Sequence, residues 1–125
     1  MIVEAKNRNF NSNGYVKVLK DYDTFEWDEN KSIKTYEKRK FGFELVTYIF
    51  ENVRAERDDY GEDHFDPRDQ GQRCQTIGKA KNQRGEMEYY FVDFIEVSDS
   101  KARIISARVA NKDERRIYNY VNGTI

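Results

Sequence analysis

The chain has 125 residues, 36% of them charged and 14% aromatic, with one cysteine, one histidine and a formal charge of -1. That length fits one domain burying roughly two-thirds of its unfolded surface, and nine Tyr, eight Phe and one Trp carry too much apolar surface for a disordered coil. No run approaches the ~20 apolar residues of a membrane helix; Met1 is followed by charge at Glu4, Lys6 and Arg8, not by the apolar stretch of a secretory signal; and one Cys with one His suits neither a disulfide framework nor a structural zinc site. A cytoplasmic protein is the expectation.

Residues 1–24, rich in Asn near Asn7–Asn13, are predicted to form an N-terminal extension with a short strand near Tyr15–Leu19. The domain proper is expected over 25–121. Phe25-Glu26-Trp27 reads as a brief strand, and Asp28 as the cap of a charged helix over about 29–40. That helix carries a thin apolar stripe of Ile33 and Tyr36 and is expected to break at Gly42. Phe43, Val46, Ile49 and Phe50 recur at helical spacing, predicting a short buried helix. Residues 51–72 hold the single proline, Pro67, and are expected to be a long loop with room for one strand.

Three strands are predicted at about 73–81, 86–96 and 101–108, joined by turns at Asn82-Gln83-Arg84-Gly85 and Ser98-Asp99-Ser100. The middle strand is apolar on both sides, through Tyr90, Val92 and Phe94 and through Tyr89, Phe91 and Ile95, so it belongs in the sheet centre. Asn111 caps a last helix, with Glu114 at the reciprocal capping position and Ile117, Tyr118 and Val121 as its apolar stripe. The expected fold class is α+β, an antiparallel sheet with helices packed on one face and the other face free as a working surface.

Charge is distributed unevenly. Lys31–Glu44 holds five basic residues against two acidic, and Lys101–Tyr118 six against two. Glu51–Asp69 reverses the balance, with eight acidic residues against three Arg. A basic face that binds phosphates in a salt-dependent way is one reading, and ordinary solvated surface is the other.

Three blocks of residues carry a resemblance. The first is Phe25-Glu26-Trp27-Asp28, Lys31, Lys38-Arg39-Lys40 and Phe43-Glu44; the second is Tyr60-Gly61-Glu62, Arg73 and Ile77-Gly78. The third is Arg103-Ile104-Ile105-Ser106-Ala107-Arg108 followed by Glu114-Arg115 and Tyr118. Together they resemble the BrnT toxins, ribonuclease members of bacterial type II toxin–antitoxin pairs. Arg39 and Lys40 stand where that family has His and Gly.

The resemblance implies a RelE-like microbial ribonuclease architecture, no metal or other cofactor, RNA as substrate, and a BrnA-like antitoxin through which the toxin enters an oligomeric complex. It implies a metal-independent endoribonuclease in which the 2′-hydroxyl attacks the adjacent phosphorus while Arg and Lys stabilise the phosphoryl oxygens. The alternatives are a non-catalytic RNA- or antitoxin-binding module of the same fold and a solitary RNA-binding protein.

Arg108, Arg103, Arg73 and Lys38 are the candidate catalytic residues; Lys31, Arg39 and Trp27 are the candidate RNA-binding residues. Lys31 and Lys38, two helical turns apart, project from one side. Trp27 suits base stacking or the core. Arg103 and Arg108 lie five positions apart, so a regular strand sends them to opposite faces, with Ser106 and Ile104 beside Arg108. Both serve one site only if Arg108 lies past the strand end or a bulge intervenes. Arg108, next to a helix N-terminus, is the favoured one. His64, Glu62 and Glu96 are the candidates for proton transfer, each with a bland surface role as its alternative. Cys74 is expected to be buried.

Overall fold

The computed structural model describes residues 12–59 and 72–123. His64, Glu62, the Tyr60-Gly61 pair and the acidic stretch around Pro67 lie outside the described residues. The elements run β1 (Val16–Val18), β2 (Thr24–Trp27), α1 (Glu29–Arg39), α2 (Phe43–Val46), a 3-10 turn (Thr47–Glu51), β3 (Arg54–Asp58), β4 (Gln72–Lys81), β5 (Met87–Ser98), β6 (Lys101–Val109) and α3 (Lys112–Val121). The class is α+β, built on one six-stranded sheet in the order β1-β3-β4-β5-β6-β2.

Two features depart from the expected arrangement. First, the sheet is mixed, because β2 runs parallel to β6. The chain reaches this edge beside the β5–β6 turn, where the backbone N–H groups of Asp23 and Thr24 donate to the Ser100 carbonyl at 2.9 and 3.1 Å. The strand β2 therefore begins where β6 begins and runs alongside it. Second, the helices do not share one face. Phe43, Val46, Ile49 and Phe50, from α2 and the 3-10 turn, cover the first face over Val92, Phe94 and Ile104. Ile117 and Tyr118 of α3 cover the second face over Ala55, Ile77 and Phe91.

The reason is already in β5. Its two apolar sides both need cover, and burying each large side chain contributes roughly 1.5–3 kcal/mol. Packing on the first face is close: a Cβ on Gly78 of β4 would meet the Ile49 Cβ at 2.8 Å. Glycine is the residue that lets the 3-10 turn lie against the sheet there.

Residues 12–24 contribute to the same body. The strand β1 pairs with β3 along one sheet edge. Tyr15 is buried under α3 on the second face, and Tyr22 joins Phe25, Phe50 and Phe94 on the first in edge-on aromatic contacts.

The helix α1 starts as expected, with the Asp28 carboxylate accepting from the N–H groups of Asn30 and Lys31. Its apolar stripe is not buried: Ile33 and Tyr36 are exposed, and the buried position is Ser32, whose Oγ accepts from the Phe43 N–H at 2.9 Å. A hydrogen bond to the following helix thus ties α1 to the first-face layer.

The helix runs over Glu29–Arg39, as expected, but the residue that stops it is Lys40, not Gly42: Lys40 adopts a left-handed conformation with φ 68°. That conformation strains a residue with a Cβ by about 1 kcal/mol and favours glycine at a helix end. Lys40→Gly is therefore expected to raise the thermal midpoint by roughly 3–5 °C. A calorimetric scan showing a lower midpoint would contradict this account.

Candidate active site

The strand β6 carries the third block, and its register decides the site. Arg103 stands opposite Ile95 of β5, Ser106 opposite Asp93 and Arg108 opposite Phe91, while Ile104 pairs with Phe94. Ile105 is the extra residue of a β-bulge between Asp93 and Phe94. Because Phe91, Asp93 and Ile95 alternate regularly along β5, their three partners point to the same side. Arg103 and Arg108 therefore share the second face despite their odd spacing, with Ser106 between them, and Ile104 turns to the first face instead.

Arg73 of β4 is opposite Ile95 as well. The row Arg73–Ile95–Arg103–Glu26 crosses four adjacent strands on this face. Strand spacing sets Arg73 and Arg103 about 10 Å apart at the backbone, with Arg108 about 13 Å further along β6. Between them runs a polar row of Arg57, Gln75, Asp93 and Ser106.

Each cation of β6 is held by a carboxylate. Arg103 Nε donates to Glu26 Oε2 at 2.6 Å, and Lys101 Nζ lies 3.3 Å from Glu26 Oε1. These contacts, that from Arg103 foremost, hold the Glu26 carboxyl below the usual carboxylate range. Arg108 donates through both terminal nitrogens to Glu114, at 2.8 and 2.7 Å, and its guanidinium lies over the Phe91 ring. The hydrogen bonding of Arg108 to the Glu114 carboxylate raises the Arg108 pKa above its ordinary value.

Glu114 also completes a capping box, accepting from the Asn111 N–H while Asn111 accepts from the Glu114 N–H. One carboxylate thus locks Arg108 to the start of α3. Ser106 Oγ donates to Asp93 Oδ2 at 3.0 Å, and Arg57 Nε donates to Gln75 Oε1 at 2.9 Å. Arg57 also covers the Tyr15 ring, and burial pushes the Tyr15 hydroxyl up to about 12.

Two polar atoms on this face are buried without a hydrogen-bond partner among the described residues, Arg73 Nε and Asp93 Oδ1. A buried donor without a partner costs about 1–3 kcal/mol, a cost that Arg73 carries on this face.

The remaining candidates lie elsewhere. Lys31, Lys38 and Arg39 are exposed on α1, in the first-face layer, and are not brought together with Arg73, Arg103 and Arg108. Trp27 packs edge-on against Phe43 at 6.4 Å and donates its indole N–H to Glu29. Glu96 does not approach the arginine row: it accepts from the Tyr22 hydroxyl at 2.6 Å and from Lys20, which keep its carboxyl below the ordinary range. Tyr118 is buried in the second-face core. Cys74 is buried too, and burial pushes its thiol up, away from the reactive thiolate.

Sequence reasoning gave no role to Glu26 or Asp93. For Asp93 the alternation of β5 carried a signal, since a carboxylate at an otherwise apolar central strand needs a cross-strand donor.

Among the described residues no group of three or more His, Cys, Asp or Glu side chains could hold a metal ion, and no helix is long and apolar enough to cross a membrane. No curated protein matches the chain. The profile of the BrnT family, described as the ribonuclease toxin, BrnT, of type II toxin–antitoxin systems, matches residues 27–114. That span begins at Trp27, the last residue of β2, and takes in the bulged strand β6 and the Glu114 that anchors Arg108. The chain belongs to the BrnT family of type II ribonuclease toxins.

Proposed function

We propose that the second sheet face is a metal-independent endoribonuclease site on a RelE-like architecture, and that the protein is neutralised in the cytoplasm by a BrnA-like antitoxin in an oligomeric complex. The observation that carries this reading is the bulge at Ile105, through which Arg103, Ser106 and Arg108 share a face with Arg73. The RNA 2′-hydroxyl oxygen bonds to the adjacent phosphorus and the bond to the 5′ oxygen breaks. A 2′,3′-cyclic phosphate and a 5′-hydroxyl are left, the hydroxyl taking the proton. Arg73 and Arg103 clamp the phosphoryl oxygens where negative charge grows, Arg103 by exchanging Glu26 for phosphate.

Arg108, fixed by Glu114, supplies a preset positive charge further along the strand. Glu26, released from Arg103, is the carboxylate assigned to accept the proton of the attacking hydroxyl and pass it on to the leaving oxygen. Lys31, Lys38 and Arg39 contact flanking phosphates from the other layer and add salt dependence.

A second reading, a non-catalytic RNA-binding module, is favoured by the ion pairs themselves, since phosphate must displace Glu26 to reach Arg103. The test is cleavage of single-stranded RNA by the purified protein in excess EDTA, with the product ends identified by mass spectrometry. Cyclic phosphate ends that persist in EDTA support the nuclease. RNA bound but left intact supports the binding module, and cleavage abolished by EDTA and restored by a divalent ion would overturn the proposed chemistry.

A further inference from the structure

A groove runs along the first sheet face, remote from the arginine row. It consists of two adjoining cavities of about 640 and 250 Å³ that share Leu45 and Gln83. In the larger one Leu45 and Ala80 form an apolar floor between the walls of Tyr36, Tyr48 and Met87. Those three wall residues are 53%, 58% and 55% exposed. Val109, exposed, lines the smaller cavity, and Ile33 stands one helical turn before Tyr36 on the same side of α1.

Seven large apolar side chains are exposed among the described residues, and four of them, Tyr36, Tyr48, Met87 and Val109, line this groove. Singly exposed apolar residues need no explanation, but a contiguous set marks a contact surface. The packing of α1 gives the physical cause: it turns Ser32 inward and leaves its apolar stripe facing outward.

Charge along the groove is polar in sense. The larger cavity is flanked by Glu44 and Glu51 against Lys81, and the smaller one by Arg39, Lys40 and Arg84 against Glu88. An RNA strand following the groove would meet two carboxylates over an apolar floor. A polypeptide with two or three apolar anchors, acidic at one end and basic at the other, matches both the floor and the charge order.

We infer that this groove is the docking site for an apolar-anchored segment of the protein partner, the antitoxin; the inference rests on the reading of the chain as an antitoxin-paired toxin. The contact that holds the partner then lies on the face opposite the arginines, and loss of the groove releases the toxin without harming its RNA chemistry.

The experiment titrates the full-length protein with its purified cognate antitoxin by calorimetry, comparing wild type with Met87→Lys, Tyr48→Lys and Arg84→Glu. All three positions are exposed, so the fold is retained, with thermal midpoints as the check. Val16→Lys, at an exposed apolar position on the distant strand β1, is the control. Met87→Lys and Tyr48→Lys should each weaken antitoxin binding about tenfold or more, and Arg84→Glu should weaken it too. Val16→Lys should not, and RNA cleavage should stay within about twofold in every variant.

Antitoxin affinity unchanged in all three groove variants overturns the inference, as does a loss of affinity for a 12-residue oligouridine with antitoxin binding intact, which would assign the groove to RNA. If wild type forms no complex with the antitoxin, both the inference and the paired-toxin reading fail. A complex that forms but ignores the groove fails the inference alone.

Discussion

Replacing Arg103 by alanine is expected to lower single-turnover cleavage by about 10²–10³-fold, the effect of removing one preset donor from a developing oxyanion. The fold should scarcely respond. The Arg103 and Glu26 side chains are 31% and 37% exposed, and an ion pair that open to water is worth no more than about 1 kcal/mol. Arg103→Lys should recover only part of the rate, because an ammonium keeps the charge but not the planar fork.

Arg108→Ala should behave differently. Its partner Glu114 is only 12% exposed and also caps α3, so the variant leaves a carboxylate with one fewer donor at a helix start. Both cleavage and the melting temperature should fall. The two variants compared in the same assay separate chemistry from support. An Arg103→Ala protein that cleaves at the wild-type rate would remove the Arg73–Arg103 row from the mechanism.

Arg54→Ala is expected to be the most destabilising single substitution of those considered, by about 3–5 kcal/mol. Arg54 is fully buried. Its Nε and Nη2 approach Glu56 Oε1 at 3.1 and 3.0 Å, Nη1 donates to the Lys20 carbonyl at 2.6 Å, and the guanidinium lies over the Phe50 ring. It joins the segment after β1, the 3-10 turn and β3 at one point. Truncation would leave a largely buried carboxylate unpaired. Replacing both partners, Arg54→Met with Glu56→Leu, should recover most of the loss, because the pair itself contributes little net stability once its desolvation is counted.

The pH dependence has a definite sign. Burial already raises the Glu56 carboxyl above its ordinary range, against the lowering effect of Arg54. A raised folded-state pKa gives a contribution that is full below the ordinary value and lost as pH rises through the raised one. Without Arg54 the carboxyl moves higher still, so the deficit of Arg54→Ala should be larger at pH ~7 than at pH ~5. Urea midpoints at the two pH values measure this, and a deficit that grows on acidification would contradict the assignment.

Several features of this protein were legible from neighbouring residues alone. Asp28 capping α1, the Asn111–Glu114 box, the turn at Asn82–Gly85 and the central position of β5 each rest on hydrogen bonds or side-chain alternation within a few positions. The three blocks sufficed for the family, and with it Arg73, Arg103 and Arg108 as residues to examine.

Other features were settled by partners far away along the chain. The bulge at Ile105 has no glycine to announce it and arises from matching β6 to β5 at both ends. It alone turns two arginines of opposite parity onto one face. The parallel pairing of β2 depends on Ser100, more than seventy positions from Thr24. The placement of α3 on the second face follows from Ile77 and Phe91, which needed cover. The exposed stripe of α1 follows from Ser32 being claimed by Phe43. Caps and turns are decided by bonds that close within one turn of chain, so they can be read residue by residue. Which face a side chain occupies, and which strand it meets, is decided by burial summed over segments that come together only in the folded molecule.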